Sequence, residues 1–167
     1  MAPVVGLIGV VVAGIVGIGV VVVIGWRTRS PLLFRPLIRL QRAVINPRQL
    51  QTAGTPGAYA SIIRHVGRTS GRLYETPIGA VATQGGFVIG LMYGPGSSWL
   101  RNVLASGSAT LVHEGQTYTV DRPEVVPLPA VAAQFGPGDR RTFRLLGVDQ
   151  ALRLHLAEPT VAAAGVG

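Results

Sequence analysis

One short loop carries side chains that could bind an anion. Within Gly67–Arg72, guanidinium groups stand on Arg68 and Arg72. Hydroxyl groups stand between them, on Thr69 and Ser70. A glycine-flanked loop of this kind can direct backbone N–H groups and bidentate arginines at a phosphate or a carboxylate. The same composition is also typical of a solvated hairpin turn, so the loop alone does not decide between the two.

A second glycine-rich segment, Tyr93–Asn102, leads into a predicted helix. The free N–H groups at a helix N-terminus favour an anion. Trp99 and Asn102 are three residues apart, so they share one face of the first turn. Trp99 is equally typical of a core residue.

Several other chemistries are not indicated. The absence of cysteine excludes disulfides, thiolate metal sites and thiol redox chemistry. No lysine follows the glycine loop as in a Walker motif, and no strand leads into the G-x-G-x-x-G of the classical nicotinamide fold. His65, His113 and His155 lack metal-ligand spacing, so we predict no metal site and expect them on element surfaces. Ser70 has no evident base beside it, which argues against hydrolysis.

The elements that must position these segments are short. The patterns predict strands at 58–66, 76–83, 87–92, 109–112 and 116–120, and helices at 99–105, 126–134 and 141–156. The last two strands are expected to pair as a hairpin across residues 113–115. Short antiparallel strands with helices at the edges predict an α+β domain built on a small barrel.

The N-terminal segment is predicted to cross a membrane. Val4–Gly25 has 22 residues without a charge, and a span needs about 20. A cleaved signal peptide would begin with basic residues and have a shorter apolar stretch. We therefore favour a retained transmembrane helix, with residues 1–29 as the anchor.

The orientation of this anchor follows from the residues at its C-terminal end. Trp26 is expected at the membrane interface, with Arg27 and Arg29 on the cytoplasmic side. The sequence thus predicts a single-pass protein of the cell membrane with a cytoplasmic C-terminal domain.

Residues 30–57 are predicted to form a basic amphipathic helix followed by a linker. Ser30 and Pro31 are typical of a helix start. The arginines beyond them share one helical face and the aliphatic residues another: Arg35, Arg39 and Arg42 against Leu33, Leu37, Leu40 and Val44. A helix lying on anionic lipid is favoured over a helix packed on its own domain. Residues 58–167 then form the soluble domain.

Positive charge is concentrated in the first half of the chain. Nine arginines occur from Arg27 to Arg72, before the first acidic residue, Glu75. Such an excess indicates an anionic partner for that half. Nucleic acid is not favoured, because the arginines adjoin the apolar segment and are not interleaved with exposed aromatic residues.

Taken in order, several segments resemble the deazaflavin-dependent nitroreductase family of actinobacteria. They are His65–Arg72, Thr76-Pro77, Tyr93-Gly94 and Trp99–Ala105, within residues 60–125. The patterns G-R-x-S-G, T-P and W-x-x-N at this spacing carry the likeness. The resemblance implies a split β-barrel of the flavin-reductase or pyridoxamine-oxidase type that binds the deazaflavin coenzyme F-420. Family members use the reduced coenzyme to transfer a hydride to quinones or nitroaromatic compounds.

By position, the resemblance implies that Arg68, Thr69, Ser70 and Arg72 bind the phosphate and the anionic tail of the coenzyme. Relatives often have a second basic residue where this chain has Thr69, which would lower the affinity for the tail.

The resemblance also implies roles at the other end of the coenzyme. Trp99 and Asn102 would lie along it, and Thr76 and Pro77 would line the ring site. Tyr93 would face the ring and is our candidate for the proton donor. The tyrosines that cover the ring in some nitroaromatic reductases have no counterpart in the C-terminal segment of this chain.

Alternatives remain open at this point. Flavin mononucleotide could replace the deazaflavin, or a split barrel could bind a flavin, a deazaflavin or a haem product without turnover. A membrane-surface adaptor without a cofactor would use its arginines for lipid alone. For an enzyme, the anchor favours a membrane quinone such as menaquinone as the acceptor. Homodimer formation, common among split barrels, is not decided by the sequence.

Overall fold

The computed structural model describes residues 19–28 and 46–158. Seven strands and five α-helices follow one another in these ranges. The strands are β1 (Ser61–Val66), β2 (Leu73–Ile78), β3 (Ala80–Thr83), β4 (Gly86–Gly90), β5 (Ser108–His113), β6 (Gln116–Pro127) and β7 (Gln150–Leu156). The helices are α1 (residues 19–28), α2 (Asn46–Leu50), α3 (Ser98–Ser106), α4 (Leu128–Val131) and α5 (Pro137–Leu146), with a 3-10 turn at Ala132–Gln134.

All seven strands form one antiparallel sheet in the order β2-β1-β5-β6-β7-β4-β3. The two edge strands, β2 and β3, are separated in the sequence by Gly79 alone. Two Cα atoms that are two residues apart lie at most about 7 Å from each other. The sheet must therefore curl until its edges meet at this residue. The α+β prediction is confirmed, and the sheet has the form of a split barrel.

The sheet buries apolar side chains on both faces, because neighbouring residues of a strand point to opposite sides. Along β4, Phe87 and Ile89 belong to the cluster inside the curl, whereas Val88 belongs to the cluster on the outer face. Helix α3 closes the inner cluster with Leu100 and Val103, both fully buried. Helices α4 and α5 cover the outer one.

The C-terminal part of the domain differs from the sequence prediction. The helix expected at 141–156 is wrong: α5 ends at Leu146, and residues 150–156 form the central strand β7. Gly147 ends the helix in the left-handed conformation, with φ of 67°. In β7, Leu152 and Leu154 alternate with Arg153, a period of two that fits a strand.

Two further boundaries differ, whereas the hairpin is confirmed. The single strand expected at 76–83 is divided at Gly79 into β2 and β3. The helix expected at 126–134 begins later, because β6 continues to Pro127. The predicted hairpin exists as β5 and β6, and Glu114 and Gly115 in its turn have φ of 50° and 75°.

The segment before the domain is attached to it at two places. Gly115 N–H donates to the Gly54 carbonyl at 2.6 Å, within the predicted linker. Farther upstream, Trp26 Nε1 donates to the Met92 carbonyl at 2.9 Å. Arg27 Nη1 donates to the carbonyls at the end of α5, including that of Arg144 at 3.0 Å.

No helix within residues 19–28 and 46–158 is long and apolar enough to cross a membrane. Most of the predicted span and most of the predicted basic helix lie outside the described residues.

Candidate functional site

One cavity of about 1110 Å³ opens where the edges of the sheet meet. Its walls come from the β1–β2 loop, the edge strands, the end of β4, the start of α3 and the region of α5. Eight of the nine site residues predicted from the sequence line it: Arg68, Thr69, Ser70, Thr76, Pro77, Tyr93, Trp99 and Asn102. The ninth, Arg72, is not part of the wall.

The β1–β2 loop is a tight turn that presents Arg68 to the cavity. Gly67 N–H donates to the Arg72 carbonyl at 2.8 Å, and Gly71 N–H donates to the Gly67 carbonyl at 2.8 Å. A Cβ atom on Gly67 would lie 2.4 Å from Ser70 Oγ and 2.7 Å from the Tyr74 ring. A side chain at position 67 would therefore displace the Ser70 hydroxyl and the Tyr74 ring from the loop.

Asn102 holds Arg68 in place. Its carboxamide oxygen accepts hydrogen bonds from the Arg68 backbone N–H at 3.2 Å and from Arg68 Nη1 at 2.9 Å. A guanidinium group has five N–H donors, so most of them are not used by Asn102. The arrangement orients a cation that can still bind an anionic ligand.

A hydrogen-bonded chain continues from Asn102 across the cavity wall. Its amide nitrogen donates to His65 Nδ1 at 3.1 Å, which requires that nitrogen to be unprotonated. The proton of the neutral ring is then on Nε2, which donates to Thr76 Oγ1 at 3.1 Å. Burial lowers the pKa of His65, which favours this neutral form. The Thr76 hydroxyl proton remains for a ligand at the ring site.

The start of α3 forms the wall beside this chain. Ser97 is the N-cap residue, yet its side chain makes no capping hydrogen bond. Ser97 Oγ is buried and has no hydrogen-bond partner among the described residues. The first turn of a helix leaves N–H groups without intrahelical partners. These N–H groups and the hydroxyl are a donor set that suits an anion.

Tyr93 stands at the rim in the turn that precedes α3. Burial raises the pKa of Tyr93 from 10.0 to about 12, which makes this phenol a weaker acid than an exposed tyrosine. Its ring packs on Trp26 with 5.1 Å between ring centroids. Because Trp26 is also bonded to the Met92 carbonyl, the segment before the domain fixes the turn that carries Tyr93.

A second contact crosses the mouth near the meeting edges. Tyr59 Oη donates to Asp139 Oδ1 at 3.0 Å, and its ring lies over Gly79. Loss of water around the hydroxyl, followed by the charge of Asp139, raises the pKa of Tyr59. Although 77% of Tyr59 is exposed, the contact ties the chain before β1 to the first turn of α5.

The floor near α5 is apolar. Phe143 and Phe135 meet edge to face with 5.0 Å between centroids, and both line the cavity. A Cβ atom on Gly90 would lie 2.4 Å from the Phe143 ring. Glycine at this position therefore lets Phe143 reach the cavity.

His113 is a further cavity residue, held by a buried serine. Ser61, which is 1% exposed, lies with its Oγ 2.8 Å from His113 Nδ1. Either atom can donate in this hydrogen bond, depending on the tautomer of the ring. The contact fixes the orientation of His113 in the wall.

Sequence reasoning missed several residues of the site, among them His65, Tyr59, Asp139 and His113. One signal for His65 was present, because it lies two residues after the buried Ile63 and must share its face of β1. Asp139 and Tyr59 are 80 positions apart and meet only in the folded chain. No group of histidine and acidic residues suited to a metal ion occurs within residues 19–28 and 46–158.

The two ends of the cavity therefore differ in the chemistry of their side chains. One end has Arg68, the loop and the start of α3, and the other has aromatic side chains and Tyr93. Of the carboxylates in the wall, Glu75 is paired with Arg64 at 2.8 Å and Asp139 accepts from Tyr59. Such a site can hold an elongated ligand with an anionic end and an apolar ring.

No family model and no curated protein matches this chain. Among solved structures, HutZ, the heme storage protein from Vibrio cholerae, is 14% identical with a TM-score of 0.45, over 60% of this chain and 83% of that chain. An F420 reductase is 10% identical with a TM-score of 0.43, over 65% and 92%. An F420-H2 dependent reductase is 13% identical with a TM-score of 0.37, over 58% and 94%. The similarity is distant and concerns the split-barrel fold.

Proposed function

We propose that this protein is an oxidoreductase that uses reduced coenzyme F-420 to transfer a hydride to a quinone or nitroaromatic acceptor at a membrane. The observation that carries the proposal is the convergence of the family-like segments on one cavity. Residues as far apart in the sequence as Arg68 and Asn102 are hydrogen-bonded there.

The donor set of the cavity fits an anionic ring cofactor. Arg68 would bind the phosphodiester together with the N–H groups of the loop and of the first turn of α3. The unpaired hydroxyl of Ser97 would add a donor at the same end. Pro77 and Trp99, both in the wall, would lie along the ring. When bound, the reduced deazaflavin supplies the hydride.

The residues of this chain have three tasks in the reaction. The Arg68–Asn102 pair fixes the anionic end, which orients the ligand. Phe135 and Phe143 exclude water from the apolar end. Tyr93, whose phenol is protonated at neutral pH as tyrosines ordinarily are, donates a hydrogen bond to the acceptor oxygen where negative charge develops.

The membrane part of the proposal rests on the uncharged segment Val4–Gly25. We propose a single-pass protein with its C-terminal domain in the cytoplasm and a membrane quinone, such as menaquinone, as the acceptor. Trp26 of the N-terminal helix lies beside the cavity, where it contacts Tyr93.

The proposal is tested by titrating coenzyme F-420 and flavin mononucleotide into the full chain in detergent. Micromolar binding of the deazaflavin, about −8 kcal/mol, should be weakened by Arg68→Ala and by Asn102→Ala. Arg101→Ala is the matched control, because Arg101 adjoins Asn102 in the sequence but does not line the cavity.

Other outcomes replace the proposal. Binding of flavin mononucleotide alone would change the cofactor. Deazaflavin binding without turnover of any quinone would indicate a binding protein. If neither compound binds, a membrane adaptor becomes the better account.

A further inference from the structure

Helix α5 has two faces of different chemistry. Its inner face lines the cavity with Asp139 and Phe143, which are one helical turn apart. Its outer face, which we call the basic face, carries three exposed arginines and an exposed leucine: Arg140, Arg141, Arg144 and Leu145.

The charge of the basic face is not compensated nearby. None of its arginines takes part in an ion pair with a residue of 19–28 or 46–158. The acidic residue of the same helix, Asp139, accepts a hydrogen bond from Tyr59 at the cavity mouth instead. A compact, unpaired group of arginines attracts an extended anionic surface.

Apolar surface adjoins the basic face. Arg27 Nη1 donates to the carbonyls of Arg144 and Leu145 at 3.0 and 3.4 Å, which places the end of α1 at the end of α5. Leu145 is 56% exposed. The exposed apolar residues of α1 are Val20, Val21 and Ile24. A nucleic acid would leave these side chains in water, whereas a bilayer can bury them.

We propose that the basic face docks on an anionic lipid bilayer, beside the entry of α1 into that bilayer. Since the opposite face of α5 lines the cavity, docking places the cavity about 10 Å, one helix diameter, from the membrane surface. An acceptor dissolved in the bilayer then meets the site at short range, a consequence that rests on the proposed function. The docking itself rests on the membrane anchor of that proposal and not on its coenzyme or acceptor.

The test places a probe on the basic face of the full chain. Because the chain has no cysteine, Leu145→Cys introduces a single thiol, which is labelled with bimane. Lipids that carry a quencher lower the bimane fluorescence when the label contacts the bilayer. Thr117→Cys is the control: Thr117 is exposed near the start of β6, a strand that runs about 30 Å before it reaches α4.

In vesicles of phosphatidylcholine with phosphatidylglycerol, we expect quenching at position 145 and none at position 117. Quenching at 145 should be lost in pure phosphatidylcholine and in high salt. Arg140→Gln with Arg141→Gln should lower the docking constant about 25-fold, at about fivefold for each arginine. The same double variant should bind coenzyme F-420 as the unchanged chain does.

Three results would overturn the docking proposal. The first is equal quenching at positions 145 and 117. The second is quenching at position 145 that changes neither with the charge of the lipid nor with the Arg140→Gln and Arg141→Gln substitutions. The third is disulfide crosslinking between copies through the thiol introduced at position 145, in place of lipid contact. If the expected quenching pattern appears but no coenzyme binds, the docking stands and the proposed function fails.

Discussion

The carboxamide of Asn102 joins two parts of the cavity wall through hydrogen bonds of similar length. Its oxygen accepts from Arg68 Nη1 at 2.9 Å, and its nitrogen donates to His65 Nδ1 at 3.1 Å. Asn102 is 6% exposed and His65 is 5% exposed, so water does not readily replace the hydrogen bond between them. A single amide thus couples the anion-binding loop to the strand that holds the ring site.

Asn102→Ala should lower the free energy of unfolding by about 1–3 kcal/mol, because the buried ring of His65 loses its hydrogen-bond donor. Urea denaturation measures this loss. Arg101→Ala, a change at an exposed neighbour, should stay within about 0.5 kcal/mol of the unchanged protein. Equal losses for the two variants would contradict a role for the carboxamide.

Stability should fall with acid through His65. Burial lowers the pKa of His65 from its ordinary 6.5, so below that pH the unfolded chain takes up the proton before the folded protein does. The stabilisation is therefore complete above pH 6.5 and is lost as the pH falls toward the lowered pKa. Urea denaturation at several pH values should show this slope, and His65→Gln should reduce it. His155→Gln should leave the pH dependence of the free energy of unfolding unchanged. If His65→Gln also leaves it unchanged, the pH dependence does not come from His65.

Gly90→Ala should disturb the apolar floor. The new methyl group would lie 2.4 Å from the Phe143 ring, so the ring must move, at a cost of about 1–3 kcal/mol. Gly138→Ala, inside α5 and with no atom within 4 Å, should instead be neutral or stabilising by up to about 1 kcal/mol. Thermal denaturation compares the two variants, and a stable Gly90→Ala protein would show that Phe143 does not depend on this glycine.

Tyr93→Phe should separate binding from turnover. The ring and its contact with Trp26 remain, whereas the hydrogen-bond donor to the acceptor oxygen is removed. We expect an unchanged Kd for coenzyme F-420 and a kcat for quinone reduction lowered about 100-fold or more, the usual scale for one lost donor to a developing oxyanion. Single-turnover kinetics would measure it. Unchanged turnover would remove Tyr93 from the reaction.

The elements with local signals were predicted well from the sequence. Helix α3 follows a glycine-rich loop and an N-cap serine, and the β5–β6 hairpin follows from two alternating runs around Gly115. The cavity residues of α3, Trp99 and Asn102, were found because they lie in a recognisable segment. Their contact with one another, such as that of Asn102 with Arg68, was implied only by the resemblance.

The features that the sequence did not predict depend on competing local preferences or on contacts between residues far apart in the chain. Leu152, Leu154 and Leu156 are good helix formers, and their two-residue period in a central strand was overlooked. His65 was expected on a surface, although the sheet buries it to 5% exposure. The Tyr59–Asp139 contact spans 80 positions, a separation at which no periodic pattern carries information.

The single residue between β2 and β3 also limits how the molecule can associate. Open sheet edges are where strands of other chains add and where aggregation begins. Here Gly79 brings the ends of the two edge strands together. Pro77 in β2 has no N–H to donate to a strand of another chain. A strand exchange with another copy that moved β2 would therefore also have to move β3, because a single residue joins the two strands.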